Sequence, residues 1–179
     1  IVISAATIDA NDNDFTATPA NGADGGTTPS VFPDDTLNGA AFADGDVIAT
    51  IVADGGISGI SINADGTLAV PAGTAAGTYT IGYEICEALN PSNCDPATAT
   101  IIINPPAIVA NDNDFTATTI NGANGGNTPS VFPDDTLNGA GFADDSVTPI
   151  ITSDGGLTGV TINPDGTLTV PGATPAGTY

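Results

Sequence analysis

The chain has no lysine, no arginine and no histidine, so its 21 aspartates and glutamates leave a formal charge of −21. Nothing on it can neutralise phosphate, which excludes nucleic-acid binding through the backbone and attachment to anionic lipid. Catalysis is narrowed too. There is no ordinary general base near neutral pH, no Schiff-base amine, and no Ser-His or Cys-His pair, so only carboxylates are left to do chemistry. Glutamate occurs only at Glu84 and Glu87, and nearly every aspartate sits among turn formers. The expectation is that this is not an enzyme. Tryptophan and methionine are absent, and aromatics are limited to six Phe and three Tyr. No apolar run reaches the roughly 18 residues of a membrane-spanning helix, so no membrane insertion is expected of this segment.

What is present is apolar enough to fold. Ile, Val, Leu and Ala supply most of a 40% hydrophobic content, beside 23 Gly and 14 Pro. Such usage suits short strands joined by tight turns. The chain also repeats itself. Residues 11–18 recur at 111–118, residues 28–40 at 128–140, and residues 76–79 at 176–179, always offset by 100. Across positions 11 to 79, 48 of 69 residues agree. A period of this length fits a whole domain better than a solenoid coil. Ile1-Val2-Ile3 aligns with Ile101-Ile102-Ile103. The expected organisation is therefore the last strand of a preceding module at 1–8, a complete repeat at 9–106 and a truncated second repeat at 107–179. Any signal peptide, anchor or binding tip is expected outside this window.

Alternation is clearest at residues 78–86, where Tyr79, Ile81, Tyr83 and Ile85 share one face. Residues 60–62 and 67–70 alternate likewise, with Asn63-Ala64-Asp65-Gly66 between them as a hairpin turn. Residues 47–52 and 99–103 read as further strands, and the segments around Phe15 and Val31-Phe32 complete about seven. No stretch has helical periodicity. The fold class expected is all-β, in tandem immunoglobulin-like, cadherin-like β-sandwich modules. Tyr79 is placed for a tyrosine corner, in which its hydroxyl returns to an upstream backbone group; the simpler alternative is a core aromatic.

Cys86 and Cys94 are the only cysteines. A disulfide is expected, closing the loop between the last two strands; unpaired thiols or half of a metal site are the alternatives. Asp9-Ala10-Asn11-Asp12-Asn13, followed by Asp14, offers hard oxygen ligands of the kind Ca²⁺ takes, and Asn111, Asp112, Asn113 and Asp114 repeat them with Val109 in place of Asp9. This stretch resembles the calcium-binding linker motif of cadherins. The alternative is a set of solvated turn formers. Asp34-Asp35 and Asn38-Gly39, repeated at Asp134-Asp135 and Asn138-Gly139, read as an acidic turn. Asp35-Thr36-Leu37, Asp135-Thr136-Leu137 and Asp145-Ser146-Val147 resemble the Asp-Ser/Thr-apolar sequon for O-glycosylation in Bacteroidetes, which makes Thr36, Thr136 and Ser146 candidate acceptors.

Four segments carry a family resemblance: residues 31–39, 63–68, 73–87 and 90–95, the last two holding the paired cysteines. Together they resemble repeats of giant Bacteroidetes surface proteins of the SprB-type gliding-motility adhesins. The resemblance implies type IX secretion, extracellular display at the cell surface, and a role in attachment or gliding. Expected partners are neighbouring repeats of the same chain, with surface glycans or other cells reached through regions outside this window. The leading expectation is a structural stalk or spacer. The alternatives are a module of a homopolymeric filament or surface layer, and a carbohydrate-binding sandwich.

Overall fold

Short strands and tight turns account for nearly all of the structure, as the glycine and proline content requires. The computed structural model describes all 179 residues and divides into two units, Ile1–Pro106 and Ala107–Tyr179. The first unit holds β1 (Ile8–Asp9), β2 (Asn13–Asp14), β3 (Ala20–Asn21), β4 (Gly26–Ser30), β5 (Thr36–Leu37), β6 (Val47–Ala53), β7 (Ser61–Ile62), β8 (Thr67–Val70), β9 (Gly77–Glu87) and β10 (Asn90–Asn104). Helix is confined to single 3-10 turns at Asp44–Asp46 and Asp144–Ser146. Ten strands stand where about seven were expected, because the N-terminal segments form two-residue pieces. β4 ends at Ser30, one residue before the expected Val31-Phe32 strand.

Two sheets make the first unit a sandwich. One has the order β2-β10-β9-β6, with β3 also on β10; the other is β4-β8-β7, and β1 pairs with β5 as a separate ribbon. Alternation sends Ile81, Tyr83 and Ile85 of β9 inward beside Ala97, Ala99, Ile101 and Ile103 of β10. They meet Phe15, Val31, Ile57, Ile60, Leu68 and Val70 in one buried cluster. Each fully buried aliphatic there contributes about 1.5–3 kcal/mol relative to exposure.

Turn chemistry fixes the register. At the predicted hairpin the Asn63 N–H donates to the Thr67 carbonyl (2.9 Å) and the Gly66 N–H to the Asn63 carbonyl (3.0 Å). Gly66 has φ +80°, and a Cβ there would lie 2.5 Å from Ser30 Oγ and 2.8 Å from Phe32 Cδ2, so any larger residue would be strained and would have to displace those side chains. The tyrosine corner is present: the Tyr79 hydroxyl donates to the Ala75 carbonyl at 2.8 Å.

β2 and β3 run parallel to β10, with Asn13 opposite Ala99, Thr100 opposite Asp14, and Ala20 opposite Ile103. β2, β3 and β10 therefore point the same way, and the chain enters the module near the start of β10 and leaves at its end. Asn93 of β10 touches Ala6 at the entry, and Asn104 ends β10 at the exit. The eleven residue-to-residue steps from Asn93 to Asn104 span roughly 36 Å at about 3.3 Å each.

The second unit contains β11 (Ile108–Val109), β12 (Gly126–Ser130), β13 (Thr136–Leu137), β14 (Thr161–Ile162) and β15 (Thr167–Val170). They repeat the β1-β5 ribbon and the β4-β8-β7 sheet in the same register. The second unit has no strand corresponding to β9 or β10. Val131 and Leu168 are accordingly half-buried where Val31 and Leu68 are fully buried. Residues 147–153, the counterpart of β6, form no strand; β6 itself pairs only with β9. Residues 1–7 also lie outside any strand, and Ile8 belongs to β1 of the first unit. The partners that an Ile101–Ile103-like strand uses, β9 and β3, are already taken by β10.

Truncating the core and the surface separates these roles. Leu68→Ala should cost about 2–5 kcal/mol in urea unfolding, whereas Val52→Ala on the exposed edge of β6 should cost less than about 0.5 kcal/mol.

Candidate functional site at the module entry

The segment entering the first unit is held residue by residue. The Ala6 N–H donates to Glu87 Oε2 (3.2 Å) and the Thr7 N–H to Asn38 Oδ1 (3.1 Å). Ile8 and Asp9 pair with Leu37 and Thr36. The Ala10 N–H then donates to Asp95 Oδ2 (2.8 Å) and the Asn11 N–H to Asp35 Oδ1 (2.7 Å). Asn38, at φ +54° before Gly39, reaches back because the expected Asn-Gly turn lies beside the entering chain. The second unit repeats the arrangement: Ala107 donates to Asn138 Oδ1 (2.9 Å) and Asn111 to Asp135 Oδ1 (2.7 Å).

The stretch singled out as a calcium linker is largely absorbed in this framework. Asp12 Oδ1 accepts from the Thr98 N–H (2.8 Å) and hydroxyl (2.9 Å). Asp14 accepts from the Thr16 N–H (2.9 Å), and the Thr16 hydroxyl and N–H hold its carboxyl below the usual range. The Asn13 amide donates to the carbonyls of Asn11 and Val31 and to the Tyr83 hydroxyl. Asn11 donates its amide to the Asp34 carbonyl. In the second unit Asp114 is held low by Thr116, and Asn113 donates to Asn111 and Val131. Asp112 is exposed.

A different carboxylate is the unusual one. Asp35 is 1% exposed, and its Oδ2 is buried with no hydrogen-bond partner. Burial pushes its carboxyl up to about 6; the Asn11 N–H opposes the shift, and the charges of Asp34, Asp9 and Asp95 add to it. Burial, reinforced by Asp35, also raises the nearby Tyr83 phenol, whose hydroxyl donates to the Asn11 carbonyl (2.9 Å). The charges of Asp34, Asp9 and Asp95 thus act on Asp35 in a chain with no cationic side chain to answer them. Sequence reading missed this grouping. Asp34-Asp35 looks like an ordinary acidic turn, and Asp95 lies 85 residues from the Ala10 N–H that locates it.

Cys86 and Cys94 form the expected disulfide, directly across the β9-β10 ladder. Glu84 lies with them, but sulfurs bonded to each other offer no thiolate, so this trio is no metal site. Of the glycosylation candidates, Thr36 and Thr136 are half-buried in β5 and β13, while Ser146 is exposed in its 3-10 turn.

No protein-family model and no curated protein matches the chain. Among solved structures it is similar to mouse cadherin-23 EC22-24, at 13% identity and a TM-score of 0.33, over 96% of this chain and 55% of that one. It is also similar to the protocadherin GammaB4 extracellular domain, at 12% identity and a TM-score of 0.34, over 98% of this chain and 30% of that one. The chain thus spans about half of the first of these and under a third of the second. At that level of superposition the likeness adds nothing to the sandwich already described.

The Asp35 shift sets a pH dependence with a definite sign. A folded-state pKa above the unfolded value penalises folding once the group ionises, so stability from this residue is greatest below about pH 4 and falls as pH rises through about 6. In the presence of chelator, Asp35→Asn should escape that loss. Its stability advantage over the parent should be near zero at pH 4 and grow to on the order of 1 kcal/mol by pH 7, read from urea midpoints.

Proposed function

We propose that the chain is a run of repeats from an extracellular, adhesion-type protein, and that its modules are spacers with no catalytic task. The observation that carries this reading is the parallel pairing of β2 and β3 with β10, which puts entry and exit at opposite poles of the module. Every added copy then adds length. Near-identical copies present the same surface again, which suits reach better than varied recognition. Between β10 and the next held residue, Ala107, stand Pro105-Pro106, whose rings fix φ. The likeness of residues 31–39, 63–68, 73–87 and 90–95 to gliding-motility adhesin repeats supports placing such a stalk on the surface of a gliding cell.

Calcium belongs to the same proposal, at residues other than the linker stretch alone. The unpartnered Asp35 Oδ2, among Asp9, Asp34 and Asp95, is a set of hard oxygen donors whose charge nothing in the chain meets. Carboxylate oxygen is the donor type Ca²⁺ takes, and Asp35 keeps one such oxygen unpartnered, whereas Asp12 and Asp14 already accept from Thr98 and Thr16. Bound there, the ion would relieve the carboxylate repulsion and fasten Asp9 in the entering segment to Asp35 and Asp95 in the module body. The second unit has Val109 in place of Asp9.

Two measurements test this. Small-angle X-ray scattering of arrays with increasing copy number should show the maximum dimension growing by roughly 35–40 Å per module; growth of less than half that would refute the spacer reading. Millimolar calcium should raise the melting temperature at pH 7 by several degrees over chelator, and Asp35→Asn should abolish the rise.

A further inference from the structure

The end of the β9-β10 hairpin is built in an irregular way. Pairing runs in register up to Cys86 opposite Cys94, and then Glu87 pairs with Asn90, leaving Pro91, Ser92 and Asn93 outside the ladder. A bulge of this kind re-aims side chains. Here it points Asn93 back at the entering chain: its amide donates to the Ala6 carbonyl (2.9 Å) and to Glu87 Oε2 (3.0 Å). Glu87 Oε2 also accepts from the Asn90 amide (2.9 Å) and the Ala6 N–H (3.2 Å). Glu87 is only 8% exposed, and its neighbours Asn90, Asn93 and Ala6 hold its carboxyl below the usual range. Both backbone groups of Ala6 are thereby gripped by the loop.

We propose that the disulfide-closed bulge is a redox-sensitive clasp on the backbone entering the module. The Cys86–Cys94 bond fixes the two ends of the loop across the ladder, and so fixes Glu87 and Asn93 at the spacing that brackets one peptide. A dithiol opens it by exchange: two electrons pass to the Cys86–Cys94 bond, which becomes two thiols, and the dithiol leaves as a cyclic disulfide. Glu87 stays paired with Val47 and the Ala88 N–H stays on the Asp46 carbonyl, so it is the Asn90–Asn93 side of the loop that regains freedom; Ala6 loses Asn93, and its hold by Glu87, which Asn90 and Asn93 orient, loosens while the sandwich core stays packed. One repeat on, position 106 is proline, which has no N–H to give, and its ring fixes φ where Ala6 relies on the clasp. The clasp deepens the spacer reading by stiffening the module entry, yet lies inside one module. A compact array would refute the spacer and leave the clasp standing; an unclasped Ala6 would do the reverse.

Amide hydrogen exchange on the full chain, read residue by residue by NMR, tests it. Three forms suffice: the parent with and without dithiothreitol, Cys86→Ser/Cys94→Ser, and Asn93→Ala with the disulfide intact. Expected is exchange at Ala6 faster by about tenfold in the reduced, double-Ser and Asn93→Ala forms, with Ile81, Tyr83 and Ile101 unchanged. Equal exchange at Ala6 in all forms would overturn the proposal. So would loss of protection at Ile81 and Ile101 together with Ala6 on reduction, if Asn93→Ala left Ala6 protected, because the disulfide would then act only on global stability.

Discussion

β10 carries ladder bonds along both edges, antiparallel to β9 from Asn90 to Ile103 and parallel to β2 and β3 at Ala99, Thr100, Ile103 and Asn104. Its inward residues Ala97, Ala99, Ile101 and Ile103 form one wall of the core. The same strand sets the direction of the module, since whatever pairs parallel with it runs from the pole where β10 starts toward the pole where it ends. Its first residues, around Asn93 and Asp95, reach the entering segment, and its last, Asn104, releases the chain at the far pole. Core, entry and exit are thus properties of a single fifteen-residue strand. The second unit, which has no strand corresponding to β10, holds only its ribbon and three-stranded sheet.

A chain with no positive side chain has to place its carboxylates by other means. Most are answered locally. Asp65 takes the hydroxyl and N–H of Thr67, Asp14 those of Thr16, and both carboxyls are held low as a result. Glu87 is answered by two amides and one backbone N–H. Asp35 is the exception, with one oxygen on the Asn11 N–H and the other buried and unanswered. Asp35 thus leaves one buried carboxylate oxygen without a partner, close to where the entering chain meets the module body.

Much of this is written in local pattern. The hundred-residue offset, the alternation from Tyr79 to Ile85 and the Asp-Gly turn at Gly66 each declare themselves within a short window, and each is realised. β2 and β3 do not, because two residues carry no period; their place comes from pairing with a strand more than eighty residues away. The carboxylate group is hidden for the same reason. Asp35 reads as a solvated turn until the Asn11 N–H, 24 residues upstream, is seen to draw it inside. Glu87 and Asn93 look like hairpin-loop polar residues until the bulge turns them on Ala6.

The central claim is that the module's two ends lie at opposite poles. Nitroxide labels at Ser4→Cys and Asn104→Cys, both exposed, measure this within one module by double electron–electron resonance. The account predicts a narrow distribution centred beyond about 35 Å, as strand rise requires. A distance under about 20 Å would put entry and exit at the same pole and contradict it.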